Sequence, residues 1–199
     1  LWAELEKVIC SGAVQGKKNT YAWFDERVKS QKTLPREEGL MTLATKYFKS
    51  HGPSTLQDFL NWSGLPAADG KRAVEMIKAD FLSETIESKT YWFTDVNFPR
   101  ERNSVYLLPA FDEFIIGYKD RSACLPARHK PTAIGINGMF FPVIVVNGQV
   151  VGLWRRTNAK NKVNVDLKYF RGLKPTQIEV KSRIDEAVKE VKDFFGRIS

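Results

Sequence analysis

Residues 51–66 read His-Gly-Pro-Ser-Thr-Leu-Gln-Asp-Phe-Leu-Asn-Trp-Ser-Gly-Leu-Pro, and this segment decides the fold. Its Gly-Pro pair at 52–53 stops a helix that arrives from the N-terminal side. Thr55 and Asp58 have the spacing of a capping box, in which each side chain accepts a hydrogen bond from the backbone N–H of the other residue. A helix therefore begins at this point, and the Gly-Leu-Pro run at 64–66 ends it after about two turns.

Apolar residues at helical spacing extend the pattern on both sides of this segment. They predict a first helix over 36–50 and a third over 67–78, and strand-like runs follow at 81–86 and 90–95. Three helices with a tight turn between the second and the third, followed by a hairpin, are the order of a winged helix-turn-helix. We therefore predict a complete winged helix over residues 36–98.

A partial copy of the same unit precedes it. Residues 20–24 read Thr-Tyr-Ala-Trp-Phe and residues 90–93 read Thr-Tyr-Trp-Phe, a repeat of about 70 residues. We expect residues 2–10 to be the last helix of the first copy and residues 13–24 to be its hairpin. We therefore predict that residues 1–30 are the last part of a winged-helix unit. We interpret the chain as the C-terminal part of a longer protein.

Beyond residue 103 the chain changes to a β pattern. Asn-Gly pairs at 137–138 and 147–148 predict two hairpins, because these residues supply the positive φ values that a type I′ turn requires. The strands expected from the turns and from apolar alternation are 105–108, 111–118, 133–136, 139–146, 149–154 and 162–170. An apolar stripe from Ile184 to Phe195 predicts a C-terminal amphipathic helix.

The fold class that follows is α+β. The end of one winged helix and a complete winged helix precede a small antiparallel β-barrel-like domain with a C-terminal helix, over residues 103–199.

Basic residues are concentrated in the second half of the chain. Residues 1–100 carry 14 Lys and Arg against 13 Asp and Glu, whereas residues 101–199 carry 17 against 10, within a net charge of +8. A basic field attracts polyanions and so favours nucleic-acid binding. A solvated surface of mixed lysines is the alternative that charge alone leaves open.

Composition argues against several other classes of protein. No run approaches 18 apolar residues and no leader pattern is visible, so we expect neither a membrane span nor a signal peptide. Cys10 and Cys124 have no partner at metal-ligand spacing and fit a reducing compartment, so a cytoplasmic protein is expected. Without a Walker loop, dinucleotide fingerprint, zinc spacing or nucleophile elbow, we expect neither a cofactor nor a metal.

The first candidate for DNA contact is the start of the third helix. In a helix-turn-helix this segment meets the bases, and here it carries Lys71 and Arg72. Asp69 opposes DNA, and use of the unit for packing alone is the alternative.

The second candidate is the hairpin at 154–162. Adjacent strand residues point to opposite faces, so one arginine would face a DNA groove while the other pairs internally. A solvated hairpin is the alternative. The residues proposed for DNA contact here are Trp154, Arg155, Arg156, Lys160 and Lys162.

Residues 109–121 are dense in polar side chains. The cluster consists of Asp112, Glu113, Tyr118, Asp120 and Arg121. Its carboxylates suit acid, base or water-positioning roles, whereas ion pairing with Arg121 would make the cluster structural. Arg121 and His129, which lies in a basic loop, are further candidates for DNA contact.

Five stretches resemble a known family. They are Lys-Tyr-Phe-Lys-Ser-His-Gly-Pro-Ser-Thr-Leu-Gln-Asp-Phe at 46–59 with Trp-Ser-Gly-Leu at 62–65, Leu-Leu-Pro-Ala-Phe-Asp-Glu at 107–113, Gly-Tyr-Lys-Asp-Arg at 117–121, Asn-Gly-Met-Phe at 137–140, and Gly-Gln-Val-Val-Gly-Leu-Trp-Arg-Arg at 148–156. In this order they resemble the bacterial winged-helix DNA-binding family that includes interstrand-crosslink DNA glycosylases of the azinomycin-resistance type.

The resemblance implies tandem winged helices and a C-terminal β-barrel clamped around DNA. Family glycosylases excise alkylated purines with a Gln-x-Gln or Gln-x-Asp pair in the first winged helix, and no Gln-x-Gln occurs in these 199 residues. The resemblance therefore implies that this chain contributes to the DNA channel, but it assigns no catalytic residue to the chain. Two hypotheses remain, both with duplex DNA as the partner: part of a repair glycosylase, or a non-catalytic regulatory DNA-binding protein. A protein-interaction module is the third reading.

Overall fold

The computed structural model describes residues 2–29, 34–95, 103–159 and 162–196. By compactness the chain divides into two units, Leu1–Gly39 and Leu40–Ser199. Among the described residues, no helix is long and apolar enough to cross a membrane.

The first unit is a small hairpin flanked by short helices. Its elements are α1 (Trp2–Leu5), β1 (Ile9–Ser11), β2 (Tyr21–Trp23) and α2 (Phe24–Arg27). Strands β1 and β2 pair antiparallel. The helix predicted over 2–10 is wrong beyond Leu5, because Lys7 adopts a φ of 57°, outside the right-handed helical region. The hairpin accordingly starts earlier than the predicted 13–24.

Three helices and a three-stranded sheet follow. They are α3 (Arg36–His51), β3 (Ser54–Thr55), α4 (Leu56–Ser63), α5 (Ala67–Ile77), β4 (Leu82–Ile86) and β5 (Lys89–Phe93). The sheet is antiparallel in the order β3-β5-β4. Both halves of the predicted Thr55–Asp58 capping box are formed, and Gly64 ends α4 with a φ of 69°. The three predicted helices are confirmed.

The core of these helices lies between α3, α4 and α5. Tyr47, Phe48 and Phe59 are its largest buried side chains, and Tyr47 packs edge-on against Phe48. Full burial of one such ring contributes about 2–3 kcal/mol, so these aromatic residues account for much of the helix packing.

The remainder is an open sheet with helices. Its elements are β6 (Val105–Leu108), α6 (Glu113–Ile116), α7 (Lys130–Ala133), β7 (Val143–Val146), β8 (Gln149–Ala159), β9 (Lys162–Tyr169) and α8 (Ile178–Gly196). The strands are antiparallel in the order β6-β7-β8-β9, and every residue of β7 is buried. The Asn147-Gly148 hairpin is confirmed, with Val146 opposite Gln149.

The predicted barrel is not closed. Among the described residues no pairing joins β9 to β6, and α8 instead packs across one face in contact with both edge strands. Val180 and Ile184 of α8 bury against Ile144 and Trp154 on that face. On the other face, Val143 and Val145 pack against the segment between β6 and β7. Because a helix covers one face and irregular chain the other, the sheet buries its apolar surface without closing.

Two predicted strands are wrong. In place of the strand predicted at 111–118 the chain forms the short helix α6, because the Asp112 side chain accepts a hydrogen bond from the N–H of Phe114 at 2.9 Å and caps a helical turn. The Asn137-Gly138 turn is tight, but it joins one isolated bridge, Ile134 to Phe140, instead of two strands. Ala133 ends α7, and Pro142 has no N–H to donate to a ladder, so β7 begins only at the next residue.

Candidate nucleic-acid interface

A two-stranded ribbon extends beyond the four-stranded sheet. Strand β8 pairs with β7 only as far as Leu153, whereas its pairing with β9 continues to Ala159 opposite Lys162. We call residues 155–159 and 162–166 the ribbon. At about 3.3 Å per residue, five residues carry its end roughly 17 Å past β7.

The two adjacent arginines lie on opposite faces of the ribbon, as predicted. The Nε of Arg155 lies 3.2 Å from Oδ2 of Asp166, the residue opposite it on β9, and its side chain is 76% exposed. The guanidinium of Arg156 lies over the ring of Phe195 on α8, 3.8 Å from the centroid. Each guanidinium therefore has an orienting partner and an exposed surface.

Trp154 is a buried residue at the base of the ribbon. It is 8% exposed, and its indole N–H donates to the backbone carbonyl of Leu108 at 2.8 Å. The ring fixes the ribbon to the edge of β6 and does not face solvent. Of the other predicted contacts, Lys160 lies outside the described residues, and Lys162 begins β9 without a described side chain.

A cleft of about 820 Å³ opens at the edge where β6 ends, β7 begins and the ribbon continues. Its apolar lining comes from Pro109, Phe141, Pro142, Leu153, Leu167 and Phe195, among others. Its cationic lining, which we call the cleft cations, is Arg155, Arg156 and Lys168, with Asp166 as the acidic neighbour. Such a site suits an anion that also presents an apolar face.

His129 lies near the other end of the sheet. Its ring stacks on Phe170 with centroids 4.4 Å apart, and Nε of Arg128 donates to its Nε2 at 3.0 Å. Phe170 packs in the same cluster as Leu153, so this basic loop covers the sheet face on which Arg155 lies. The stack brings His129 to the sheet without joining it to the cleft.

The predicted polar cluster makes contacts within the protein. Glu113 lies 3.3 Å from Nε2 of His51, and the Tyr118 hydroxyl donates to the carbonyl of His51 at 3.0 Å. Burial and the charge of Asp58 raise the pKa of Tyr118. The Arg121 Nε donates to the carbonyl of Ile115 at 2.6 Å. Arg121 thus donates to backbone carbonyls, and among the described residues it does not form the ion pair with a carboxylate that the structural alternative invoked.

Asp58 is the residue that ties the helices to this cluster. It is 3% exposed, and its carboxylate accepts hydrogen bonds from the N–H and hydroxyl of Thr55. Its other oxygen accepts from the N–H groups of Lys119 at 2.8 Å and Asp120 at 3.1 Å. Four donors thus compensate the desolvation of one buried carboxylate.

Asp120 extends the network to the β4–β5 hairpin. Lys89 donates to Oδ2 of Asp120 at 2.5 Å, and Ser122 donates to Oδ1 from both its N–H and its hydroxyl. The Lys89 hydrogen bond, followed by those of Ser122, holds the pKa of Asp120 well below its usual range. Lys89, at the turn of this hairpin, is therefore turned toward the protein.

The candidates on α5 lie away from the cleft. Lys71 and Arg72 are exposed on the first two turns of that helix. Lys71 lines a separate groove of about 600 Å³ with Lys89 and Trp92 of the hairpin. Among the described residues, no group of three or more His, Cys, Asp or Glu is arranged to hold a metal ion.

Sequence reasoning missed several residues of these sites. Strand alternation gives a signal for Lys168, which lies opposite Leu153 two residues from Asp166 on the same face. The sequence predicts only the helix-capping role of Asp58, because its second oxygen accepts hydrogen bonds from residues more than 60 positions away. No local sequence pattern points to Phe195 or His51, because each contacts a residue of a distant element: Phe195 contacts Arg156, and His51 contacts Glu113.

Comparison with known proteins gives one consistent result. A family model described as DNA glycosylase AlkZ-like matches residues 2–194. The interstrand DNA cross-link repair glycosylase of Streptomyces sahachiroi is 24% identical over 159 residues, which are 74% of this chain and 43% of that protein. The structure of Streptomyces sahachiroi DNA glycosylase AlkZ matches with a TM-score of 0.78 and 18% identity, over 94% of this chain and 52% of that one. The chain thus shares this fold and spans about half the length of these relatives.

Proposed function

Because the chain belongs to the AlkZ-like family of DNA glycosylases, we propose that it binds double-stranded DNA through the ribbon and the cleft at its base. The observation that carries this proposal is the grouping of the cleft cations around an apolar cleft on an open sheet. Phosphate neutralisation dominates the affinity of DNA-binding proteins, and a two-stranded ribbon is narrow enough to enter a groove.

In this proposal the residues of the ribbon and those beside it have different roles. Arg155 and Lys168 contact phosphates from one face, and Lys160 and Lys162 are further proposed DNA contacts. Trp154 and Arg156 set the direction of the ribbon, because their partners lie outside it, Leu108 on β6 and Phe195 on α8. The ribbon therefore meets DNA in a fixed orientation, which lowers the entropic cost of binding.

We further propose the domain division 1–30, 36–98 and 103–199. The order of α3, β3, α4, α5, β4 and β5 supports reading residues 36–98 as a winged helix. Lys71 and Arg72 at the start of α5 would then give a second DNA contact, weakened by Asp69. Glu113, Tyr118 and Asp120 join this unit to the segment between β6 and β7 through His51 and Lys89. Arg121 and His129 remain further proposed DNA contacts.

DNA repair is the process in which we place the full protein. The Streptomyces relative is named a cross-link repair glycosylase, and this chain spans 43% of its length. Base excision is therefore a proposal for the full protein, and DNA binding is the proposal for this chain.

The test is duplex binding at rising salt. Fluorescence anisotropy of a labelled 20-base-pair duplex, titrated with the 199-residue chain at several KCl concentrations, gives Kd at each salt. We expect log Kd to rise linearly with log salt concentration, as release of counterions requires. Absence of binding at low salt would overturn the proposal and favour a protein-interaction module.

A further inference from the structure

We propose that the free edge of β4 binds an extended, positively charged segment of a partner protein, which adds a fourth strand to the sheet. In the order β3-β5-β4, strand β4 is paired on one side only among the described residues. All five of its residues are exposed. Such an edge is a template for strand addition, in which main-chain hydrogen bonds supply affinity and alternate side chains supply specificity.

The geometry of the β4–β5 hairpin decides which backbone groups of β4 are already bonded. Its turn consists of Glu87 and Ser88, with φ values of 49° and 63°, and Ile86 lies opposite Lys89 across it. Residues that flank a two-residue turn exchange both backbone hydrogen bonds, and bonded and non-bonded pairs then alternate along the strands. The even-numbered residues of β4 are therefore bonded to β5.

The odd-numbered residues of β4, Ser83 and Thr85, carry its free backbone groups. Their N–H and C=O groups point away from β5, toward the unpaired edge. Both residues are exposed, so these groups are accessible to another chain. An added strand therefore finds two donors and two acceptors at the spacing of a regular antiparallel ladder.

The side chains of Leu82, Glu84 and Ile86 share one face of β4. Leu82 is 50% exposed and Ile86 is 52% exposed, and Glu84 between them forms no ion pair among the described residues. Two more exposed carboxylates, Asp80 and Glu87, flank the strand. The best complement is a strand with apolar side chains opposite Leu82 and Ile86 and with Lys or Arg opposite Glu84.

The charge of this edge excludes DNA as its occupant. The chain as a whole has a net charge of +8, but the two lysines that flank β4 in sequence are paired, Lys78 with Glu75 and Lys89 with Asp120. The carboxylates along the edge repel phosphates, whose neutralisation by cations dominates binding to DNA. The same carboxylates attract a basic peptide.

A second copy of the chain is also a poor match for this edge. When two copies of β4 pair antiparallel over their full length, with Ser83 of one opposite Thr85 of the other, Glu84 lies opposite Glu84. This pair is not hydrogen-bonded, so its side chains approach closely, and like charges directly opposite each other destabilise the pairing. A lysine at this position of a different strand turns the repulsion into attraction. The occupant is therefore a strand of another protein.

The experiment uses two cyclic β-hairpin peptides, each of which presents a preformed edge strand. The strand of the first reads Val-Thr-Lys-Thr-Val and that of the second reads Val-Thr-Glu-Thr-Val, so the peptides differ only in the side chain opposite Glu84. Fluorescence anisotropy of the labelled peptides, titrated with the 199-residue chain, gives both Kd values. We expect the lysine peptide to bind at least about fivefold more tightly, because an attractive cross-strand pair replaces a repulsive one.

Hydrogen exchange of single backbone amides locates the bound peptide. The N–H groups of Ser83 and Thr85 should exchange more slowly when the lysine peptide is bound, because they become donors to its carbonyls. The N–H of Glu84 is already bonded to β5, so its exchange should change little.

Two pairs of variants test the backbone and the charge separately. Ser83→Pro removes an outward N–H and leaves the bonds to β5, whereas Ser83→Ala keeps that N–H. The proline variant should bind the lysine peptide about fivefold more weakly or worse, and the alanine variant should bind it like wild type. Glu84→Lys should reverse the preference between the peptides. Glu179→Lys, the same change of charge at an exposed position of α8, should keep the original preference.

Four results would overturn the proposal. They are no binding of the lysine peptide, equal affinity for the two peptides, an unchanged preference in Glu84→Lys, and unchanged exchange of the Ser83 and Thr85 amides in the complex. Analytical ultracentrifugation of the free chain tests the other occupant. A dimer that dissociates in Ser83→Pro but persists in Ser83→Ala would assign the edge to a second copy and would overturn the proposal as well.

Discussion

The carboxylate of Asp58 accepts a hydrogen bond from the backbone N–H of Lys119 at 2.8 Å, across 61 positions of the chain. The same carboxylate caps α4 through Thr55. One buried side chain therefore begins a helix and holds the segment between β6 and β7 against it. This relationship makes the polar cluster part of the scaffold that joins α4 to that segment.

Asp58→Asn should destabilise the protein by about 3 kcal/mol. The amide keeps one acceptor oxygen but turns an NH₂ toward N–H donors, so buried donors lose their partner. Urea unfolding followed by tryptophan fluorescence measures the change. Asp80→Asn, at an exposed position, should shift stability by less than about 0.5 kcal/mol. Equal stability of both variants would contradict the role assigned to Asp58.

Gly117→Ala and Gly39→Ala should change stability in opposite directions. A Cβ at Gly117 would lie 2.7 Å from the carbonyl oxygen of Glu113 and 2.7 Å from Cδ2 of His51, so we expect a loss of about 1–3 kcal/mol. A Cβ at Gly39 of α3 meets nothing within 4 Å, and alanine there should stabilise by about 0.5–1 kcal/mol. Thermal unfolding of the two variants checks both signs, and a gain in Gly117→Ala would contradict the packing described.

Acidification should remove a contribution of Asp120 to stability. Folding lowers the pKa of this carboxyl, first through the Lys89 hydrogen bond. Its contribution is therefore complete above the ordinary value of about 4 and is lost as the pH falls through the lower folded value. Lys89→Gln should be less stable than wild type above about pH 5, and the difference should narrow toward pH 2.

The control for this pH dependence is a double-mutant cycle. In the Asp120→Asn background, Lys89→Gln should have no further pH-dependent effect on the free energy of unfolding, because the carboxyl that titrates is absent. A pH-dependent difference that survives in that background would assign the effect to another group.

The helical part of the fold was predictable because its signals are local. The Gly-Pro stop, the Thr55–Asp58 capping box and the Gly64 C-cap act within a few residues, and all three helices begin and end close to where they were expected. The strand predicted at 111–118 failed because Asp112 caps a helical turn there, which overrides the apolar β pattern. Closure of a barrel requires the edge strands β6 and β9 to pair. The alternation and turn patterns used to predict the strands do not say whether these two strands pair.

The candidate site was predictable in part. Arg155 and Arg156 followed from strand alternation and local charge. Their partners did not, since Phe195 lies about 40 residues away on α8 and meets Arg156 only in the folded chain. Trp154 resembled a DNA contact in the sequence but is buried, because its indole has a partner in Leu108 on a strand that precedes it by 46 positions.

The most direct test of the account is the salt dependence of duplex binding by two charge-matched double variants. Arg155→Gln/Lys168→Gln removes two cleft cations, and Lys181→Gln/Arg183→Gln removes two exposed cations of α8. Arg183 is a matched control for Arg155, because each arginine forms an ion pair with an N–O distance of 3.2 Å, Arg183 with Glu186 and Arg155 with Asp166. Each lost phosphate contact should lower the slope of log Kd against log salt by about 1. We predict that this slope falls by about 2 in Arg155→Gln/Lys168→Gln and is unchanged in Lys181→Gln/Arg183→Gln. Equal slopes in both variants and wild type would contradict DNA binding at the cleft.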